Sequence, residues 1–342
     1  MAALPAGLAA ETASLEPETT APRRQRRQTT AVVIWILLIP ACVGVFCLAL
    51  MHRYLMPLMV LYLVFVALDA TPETGGRQLP WVRQWRLWKW QRSYFPIRLV
   101  KTCELDPSKN YIFGYHPHGI ISLGAWINFA TEANDFSRLF PGITVRLLTI
   151  ASNFRVPFFR ELLLSLGLAS VSRRSCDNIL SMGPGHSCLI VVGGAAEALM
   201  AFPYTNDLIL RRRHGFIRLA LRRGASLVPC YSFGENDLWD QVPNPEGSWL
   251  RAWQRFMQKY TTVSPPLFFG RGVGSTRFGI VPFRRPVTTV VGAPIPCVQT
   301  ADPAPELVQA YHQRYTEALQ ALWEQHHPQY APNYKTALTL TE

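Results

Sequence analysis

The sequence predicts an α/β fold, with a mainly parallel sheet flanked by helices, preceded by an N-terminal transmembrane hairpin. Two uncharged apolar stretches within residues 31–68 predict the hairpin. From residue 99 onward, short apolar runs alternate with longer segments suited to helices, a pattern typical of βαβ units. Only 16% of the 342 residues are charged, whereas an ordinary soluble domain carries about 25%. This low charge, with 49% apolar residues, excludes a largely disordered chain and indicates surface that does not face water.

The N-terminal region divides into a tail and two apolar stretches. Residues 1–30 are rich in Ala, Thr, Glu and Pro and end in a cluster of arginines, so we expect a disordered tail. Ala31–Met51 has no charged residue and, as a helix of about 31 Å, is long enough to span a bilayer. Leu55–Leu68 is shorter, so the two stretches form either a membrane hairpin or one span followed by a partly embedded return. A buried core helix is the other interpretation. The arginines place the N-terminus in the cytosol, and a hairpin returns residue 69 onward to the same side.

Residues 69–98 connect this hairpin to the remaining chain. Asp69–Gln78 contains Pro and Gly residues and is predicted to be a linker. Trp81–Tyr94 interleaves aromatic and basic residues, which is typical of a helix at a membrane interface. Such a helix also suits packing against a domain, and the two interpretations are compatible.

Residues 99–342 are predicted to form a single α/β domain. Its buried strands are expected at Tyr111–Tyr115, Thr144–Ala151, Leu168–Val171, Leu189–Val192, Ser226–Val228 and Val287–Val291. Apolar residues at spacings of three and four predict an amphipathic helix over Pro305–Gln325.

The first candidate site follows the strand that begins at Tyr111. This strand ends in His116-Pro-His118-Gly119, and in open α/β sheets ligands bind beyond the carboxyl ends of strands. Imidazoles titrate near neutral pH, so both histidines suit general base catalysis, and Gly119 allows close approach of a ligand. A structural role for the histidines is the other interpretation. No metal is predicted, because no further cluster of metal ligands accompanies the histidine pair.

Two further segments carry candidate functional residues. A buried strand from Leu189 runs into two glycines and then Glu197, which could accept the Nδ1–H of a histidine and fix its tautomer. The alternative is a glutamate in the first turn of a helix, stabilised by the helix dipole. The arginines Arg211, Arg212 and Arg213 suit binding of phosphate groups, or form a solvated or membrane-facing basic surface.

Several other classes of protein are disfavoured. No G-x-S-x-G nucleophile elbow and no nucleic-acid-binding motif occurs. The net charge of +12 is better explained by a membrane surface and phosphorylated ligands than by nucleic acid.

The run Asn110–Gly119 resembles the signature of the diacylglycerol acyltransferase type two family, which includes monoacylglycerol and wax-alcohol acyltransferases. The resemblance extends from about residue 60 to the C-terminus, with further matching blocks at Tyr94–Ile97, Leu99–Thr102, Phe140–Ile143, Asn153–Arg155, Val192–Glu197, Gly215–Ala220, Leu227–Asn236 and Thr288–Gly292. It implies a glycerolipid-acyltransferase-like α/β fold. In block order the chain is also similar to the wider glycerolipid acyltransferases, which carry His-x4-Asp. Here Leu123 occupies the acidic position, so Glu197 is the candidate replacement.

The resemblance implies transfer of an acyl group from acyl-CoA to the hydroxyl of a glycerolipid or long-chain alcohol. Residues 99–342 would be the acyltransferase domain, facing the cytosol at the endoplasmic reticulum and lipid droplet surface. We expect conversion of diacylglycerol to triacylglycerol, with monoacylglycerol and wax alcohols as alternative acceptors. A non-catalytic membrane or lipid-droplet protein and a thioesterase are the rival functions. Acyl-CoA is expected as a substrate with no cofactor, and homo-oligomers are compatible with the sequence.

The resemblance also suggests roles for the candidate residues. His118 would remove the proton of the acceptor hydroxyl, Glu197 would hold its imidazole, and His116 would bind or orient substrate. The tetrahedral oxyanion would be stabilised by backbone N–H groups near Gly119, or by Asn153 and Arg155. Phosphates of CoA would be bound by Arg211, Arg212 and Arg213.

Overall fold

The computed structural model describes residues 22–261, 266–273, 278–334 and 336–341. Most of the predicted disordered tail, residues 1–21, lies outside the described residues. The tail prediction is wrong for residues 22–30, because helix α1 spans Pro22–Met51. Proline is favoured in the first turn of a helix, and the Arg and Gln residues that follow are good helix formers.

Helix α2 spans Met56–Leu68 and completes the predicted pair of apolar helices. By length and composition, Pro22–Met51 and Met56–Glu73 are both able to cross a membrane. The pair contacts the rest of the chain at several places, of which two are near its ends. The Gln91 amide donates to the carbonyl oxygen of Ala31 at 3.1 Å, and the Asp69 carboxylate lies 2.6 Å from the Arg160 guanidinium.

The predicted interfacial segment forms two short helices, α3 over Pro80–Arg83 and α4 over Arg86–Tyr94. Trp88 is buried and its indole N–H donates to the carbonyl oxygen of Val82 at 2.7 Å, whereas Trp81 is 61% exposed. The segment therefore packs on the domain and also presents an aromatic residue outward.

Eleven strands occur in the described residues. They are β1 (Ile97–Lys101), β2 (Tyr111–His116), β3 (Thr144–Thr149), β4 (Ala169–Ser170), β5 (His186–Val191), β6 (Asp207–Ile209), β7 (Ser226–Phe233), β8 (Asp240–Gln241), β9 (Phe268–Phe269), β10 (Val287–Val291) and β11 (Thr339–Thr341). Strand β1 begins before the predicted domain boundary at residue 99.

Seven of these strands form the main sheet, in the order β1-β10-β7-β2-β5-β3-β4. Strands β7, β2, β5, β3 and β4 are parallel, whereas β10 is antiparallel to β7 and parallel to β1. The predicted α/β class with a mainly parallel sheet is confirmed. Strand β2, which leads to the histidine pair, lies at the centre.

Helices cover both faces of this sheet. The remaining ones are α5 (Leu123–Ala125), α6 (Phe136–Leu139), α7 (Phe159–Ser165), α8 (Arg173–Leu180), α9 (Gly194–Ala198), α10 (Gly215–Arg223), α11 (Trp249–Thr261) and α12 (Pro305–Tyr330). Because side chains alternate along a strand, Tyr111 and Phe113 of β2 join one core, while Ile112 joins a second core with Tyr315 of α12.

Candidate active site

Three polar turns meet at the carboxyl edge of the parallel strands. Tyr115 of β2 pairs with Val191 of β5 on one side and with Cys230 of β7 on the other. The turns that leave these strands carry His118, Glu197 and Glu235 respectively. This edge is where ligands bind in open α/β sheets.

The His118 imidazole is held in one tautomer by its neighbour. Its Nδ1 lies 2.9 Å from the carbonyl oxygen of Gly119, and a carbonyl oxygen only accepts, so Nδ1 carries the proton. Nε2 is then the basic nitrogen, and no protein group among the described residues bonds to it. Burial lowers the pKa of His118, against the smaller opposite effect of the Gly119 carbonyl, which favours the neutral base at pH 7. The side chain is only partly buried and can reach a substrate.

Glu197 does not contact this imidazole, contrary to the sequence prediction. One carboxylate oxygen accepts the backbone N–H of His118 at 2.5 Å, and the other accepts the backbone N–H of Ile209 at 2.8 Å. Glu197 lies in the first turn of α9, and its side chain folds back over Gly193, where a Cβ would collide with it. The carboxylate therefore holds the main chain of the histidine turn.

The Glu197 carboxyl group is buried, and burial raises its pKa to about 7. The two N–H donors and the nearby Arg213 act in the opposite direction. Glu197 is thus a positioning residue rather than a group in contact with reacting atoms.

His116 is the last residue of β2 and packs beneath α12. It is fully buried, with Nε2 3.0 Å from the hydroxyl oxygen of Tyr315 on α12. Burial lowers its pKa to about 3. Because its ring has no exposed surface, this geometry does not support the predicted role of His116 in catalysis or substrate orientation. It is a core histidine.

Glu235 was missed by the sequence predictions. Its carboxylate accepts the backbone N–H groups of Leu123 at 2.6 Å and Gly124 at 2.9 Å, and the hydroxyl of Tyr115 at 2.7 Å. Burial raises its pKa to about 7. The sequence contained a signal for it. Gly234-Glu235 comes directly after β7, just as two glycines and Glu197 come after β5.

Gly119 is required by the close packing of Glu235. Its φ is +60°, and a Cβ at this position would lie 2.8 Å from Cγ of Glu235. Glu197 thus binds the turn at the backbone of His118, and Glu235 binds the same turn at the backbone of Leu123 and Gly124. The backbone N–H of Leu123, at the position expected to be acidic, is one of its donors.

The predicted phosphate-binding and oxyanion residues fall in two places. Arg213 donates to the carbonyl oxygen of Gly193 at 3.0 Å and so borders the site, while Arg211 and Arg212 are exposed in the same turn. Asn153 donates to the hydroxyl of Thr149 at 2.8 Å.

Arg155 is exposed just after β3, which is two strands from β2. Two strand spacings amount to about 10 Å. The structure therefore brings Arg213 to the histidine turn but leaves Asn153 and Arg155 beside it. In the described residues, no group of three or more His, Cys, Asp or Glu side chains could hold a metal ion.

A family model described as diacylglycerol acyltransferase matches residues 48–341. The chain belongs to this family. It is 46% identical to diacylglycerol O-acyltransferase 2B of Umbelopsis ramanniana, over 93% of each chain. It is 47% identical to diacylglycerol O-acyltransferase 2 of Dictyostelium discoideum, over 89% of this chain and 93% of the relative. It is 46% identical to 2-acylglycerol O-acyltransferase 1 of Bos taurus, over 90% of this chain and 94% of the relative.

The predicted family and the predicted acyltransferase class are confirmed by these matches. Among solved structures, the 1-acyl-sn-glycerophosphate acyltransferase of Thermotoga maritima aligns with 88% of this chain and 97% of its own, at 12% identity and a TM-score of 0.39. The fold assignment rests on the strand order given above.

Proposed function

We propose that this protein is a membrane-bound, acyl-CoA-dependent O-acyltransferase that esterifies diacylglycerol to triacylglycerol, with His118 as general base. One observation carries the proposal: His118 is partly exposed at the sheet edge, with Nδ1 bound to the Gly119 carbonyl and Nε2 unoccupied. Nε2 can therefore take a proton from an alcohol. The acceptor is suggested by relatives whose names specify diacylglycerol.

The reaction is a direct transfer. The acceptor hydroxyl oxygen attacks the thioester carbonyl carbon while Nε2 of His118 takes the hydroxyl proton. The resulting imidazolium keeps its Nδ1–H bond to Gly119. The tetrahedral intermediate then collapses, the C–S bond breaks, and the departing thiolate of CoA takes the proton back from His118. General base catalysis of this kind contributes roughly 10²–10⁴-fold to rate.

Charge that develops on the oxyanion needs hydrogen-bond donors. The turn from Gly119 to Ile121 offers backbone N–H groups that make no hydrogen bond within the described residues. Glu197 and Glu235 hold this turn at its two ends. Donors fixed in advance stabilise an oxyanion without further reorganisation, so the two carboxylates serve the chemistry through the backbone.

Arg213 is the proposed contact for the phosphates of CoA. One of its N–H groups binds the Gly193 carbonyl oxygen, and a guanidinium has further donors that suit phosphate. Arg211 and Arg212 are exposed in the same turn and extend this basic surface.

The proposed location is the endoplasmic reticulum membrane and the lipid droplet surface, with the catalytic domain in the cytosol. Helices α1 and α2 supply the membrane association. The arginines at the start of α1 favour a cytosolic N-terminus, and a hairpin places the domain on the same side.

A second acceptor, monoacylglycerol, is favoured by one specific observation. The relative from Bos taurus is named 2-acylglycerol O-acyltransferase 1 and is as similar to this chain as the first diacylglycerol enzyme. The geometry of the site gives no preference between the two acceptors.

The full-length protein, purified in detergent, tests the proposal with labelled oleoyl-CoA and a panel of acceptors. We expect labelled triacylglycerol when dioleoylglycerol is supplied. Diacylglycerol formed from 2-oleoylglycerol at a higher rate would move the assignment to the monoacylglycerol enzyme, and esters of hexadecanol would move it to wax synthesis. Labelled oleate released without any acceptor would indicate a thioesterase. Absence of every product would leave a membrane-binding protein.

A further inference from the structure

A groove separate from the His118 turn lies between α1 and the segment that contains Arg271 and Arg284. Its volume is about 750 Å³. One wall is a single stripe of α1, with residues at helical spacing: Gln25, Arg26, Thr29, Thr30, Val33, Ile34, Leu37, Leu38 and Ala41. The other wall is formed by Arg271, Val273 and Arg284.

The groove changes from polar to apolar along its length. Its N-terminal part is lined by hydroxyl and amide side chains and by arginines, whereas Val33–Ala41 lines the rest with apolar groups only. This apolar part is about 12 Å long. That length lies within one leaflet, because the hydrocarbon core of a bilayer is about 30 Å thick. Ile34 and Leu37 are 47% and 49% exposed, so the apolar part opens toward the surroundings of α1.

The two arginines of the second wall lie close to one another without a compensating negative charge. Their guanidinium carbons lie 5.5 Å and 4.1 Å from the centroid of the Tyr94 ring. Their partners on α1 are neutral: Arg284 binds Gln28 Oε1 at 2.6 Å, and both contact the Thr29 hydroxyl. Neither is paired with a carboxylate in the parts of the chain that the structure describes.

The environment of these arginines favours an anion. Nε of Arg271 is buried and has no hydrogen-bond partner among the described residues. Burial lowers the pKa of Arg284, the nearby Tyr94 acts in the opposite direction, and the charge of Arg271 lowers it further. Charges removed from water are stable when paired, and guanidinium groups bind phosphate in a bidentate manner.

We propose that this groove binds one anionic phospholipid from the cytosolic leaflet, with its phosphate on Arg271 and Arg284 and one acyl chain along Val33–Ala41. The order of groups in the groove matches that of a leaflet lipid, because the arginines lie toward the N-terminal, cytosolic end of α1 and the apolar wall lies deeper. The bound lipid would neutralise the arginine pair and strengthen the contact between α1 and the domain. It is not a participant in acyl transfer.

Native mass spectrometry of the full-length protein tests the proposal without an activity assay. Dioleoylphosphatidylglycerol is titrated as the anionic probe, with dioleoylphosphatidylcholine as the zwitterionic control. We expect one site that prefers the anionic lipid, and at least a tenfold loss of its affinity in the double variant Arg271→Gln/Arg284→Gln. The variant Arg86→Gln/Lys89→Gln removes two exposed charges from α4 and should bind within twofold of the unmodified protein.

Two further variants separate loss of the site from loss of folding. Arg271→Lys/Arg284→Lys should keep the preference for anionic lipid, and Ala41→Phe should fill the apolar part and weaken binding with both arginines intact. Equal binding by the glutamine variant, or equal binding of phosphatidylcholine, would overturn the proposal. Displacement of the lipid, one for one, by a non-hydrolysable acyl-CoA analogue would also overturn it, because the arginines would then belong to the thioester site.

Discussion

His116 and His118 are separated by a single proline, yet their surroundings differ in every respect that matters for chemistry. His116 is the last residue of β2 and faces the core beneath α12, where its ring bonds to Tyr315. His118 lies in the following turn, where Gly119 fixes its tautomer and leaves Nε2 open. Burial lowers the pKa of both, to about 3 for His116. The two histidines of this pair therefore differ in access: the His116 ring is enclosed in the core, and the His118 ring keeps an open Nε2.

The difference shows where a strand stops determining the direction of its side chains. Within β2, alternation assigns each residue to one of two cores. Beyond its end, direction depends on the turn, and this turn is fixed by hydrogen bonds from Glu197 and Glu235. The accessibility of the His118 imidazole therefore depends on residues that follow three different strands, and not on the histidine motif alone.

The largest expected effect is that of His118→Ala. Removing the proposed general base should lower kcat by about 10²–10⁴-fold. Folding and membrane association should be unchanged, since the ring bonds only to its neighbour. Turnover with labelled oleoyl-CoA and thermal unfolding of the same sample measure both quantities. Near-normal turnover would remove His118 from the mechanism.

Glu197→Gln should have the next largest effect. The glutamine amide places an NH₂ group against one of two N–H donors, so one hydrogen bond to His118 or Ile209 is lost. We expect kcat to fall by about 10–100-fold, corresponding to a loss of roughly 1.4–2.7 kcal/mol of transition-state stabilisation, with KM changed less than threefold. Steady-state kinetics separates the two parameters.

The control for this variant is Glu161→Gln, which changes a carboxylate that binds Arg160 and Arg77 away from the turn. If the role of Glu197 is purely structural, Glu197→Gln should instead lower the melting temperature, and it should raise KM and lower kcat together. Glu197→Asp, which retains both acceptor oxygens, should recover part of the lost kcat.

The sequence was sufficient for much of the fold and for part of this site. The strands β2, β3 and β10 were predicted because they are short runs rich in apolar and β-branched residues, as buried strands favour. Strand β1 was missed because its sequence, Ile-Arg-Leu-Val-Lys, mixes apolar and basic residues.

The contacts within the site were not predictable in the same way. The rule that ligands bind at strand ends correctly selected His118 and Glu197 as neighbours. It did not predict that Glu197 contacts the backbone N–H of His118, because this depends on how the Glu197 side chain folds back over Gly193. Glu235 obeyed the same rule and was still missed, because no histidine or basic residue beside it suggested a partner.

His116→Ala is expected to reverse the pattern of His118→Ala. The substitution removes the bond to Tyr315 and leaves a cavity in the core, so the free energy of unfolding should fall by about 2–5 kcal/mol. Specific activity, corrected for the folded fraction, should remain within about fivefold of the unmodified enzyme. Chemical denaturation and turnover on the same preparation make the comparison. A hundredfold loss of kcat in fully folded protein would show that His116 acts in the reaction.

The smallest expected effect is on the pH profile. Burial lowers the pKa of His118 below its ordinary value, so the base is neutral at pH 7 and is lost only as pH falls through that lowered pKa. The plot of kcat/KM against pH reports the free enzyme. Glu197 and Glu235, whose pKa burial raises to about 7, should cause a fall in activity near pH 7, because protonation weakens their hold on the turn. His118 should contribute a further acid limb whose midpoint lies below about 6.5. His116→Ala should leave this limb in place, because the buried ring remains neutral down to a pKa of about 3. In the unmodified protein, His116 makes the free energy of unfolding fall as the pH drops from about 6.5, its ordinary pKa, to about 3, its pKa in the folded protein. This pH dependence should be absent from His116→Ala. If the limb below pH 6.5 moves when His116 is replaced, the two histidines titrate as one unit, and the distinction between base and core residue fails.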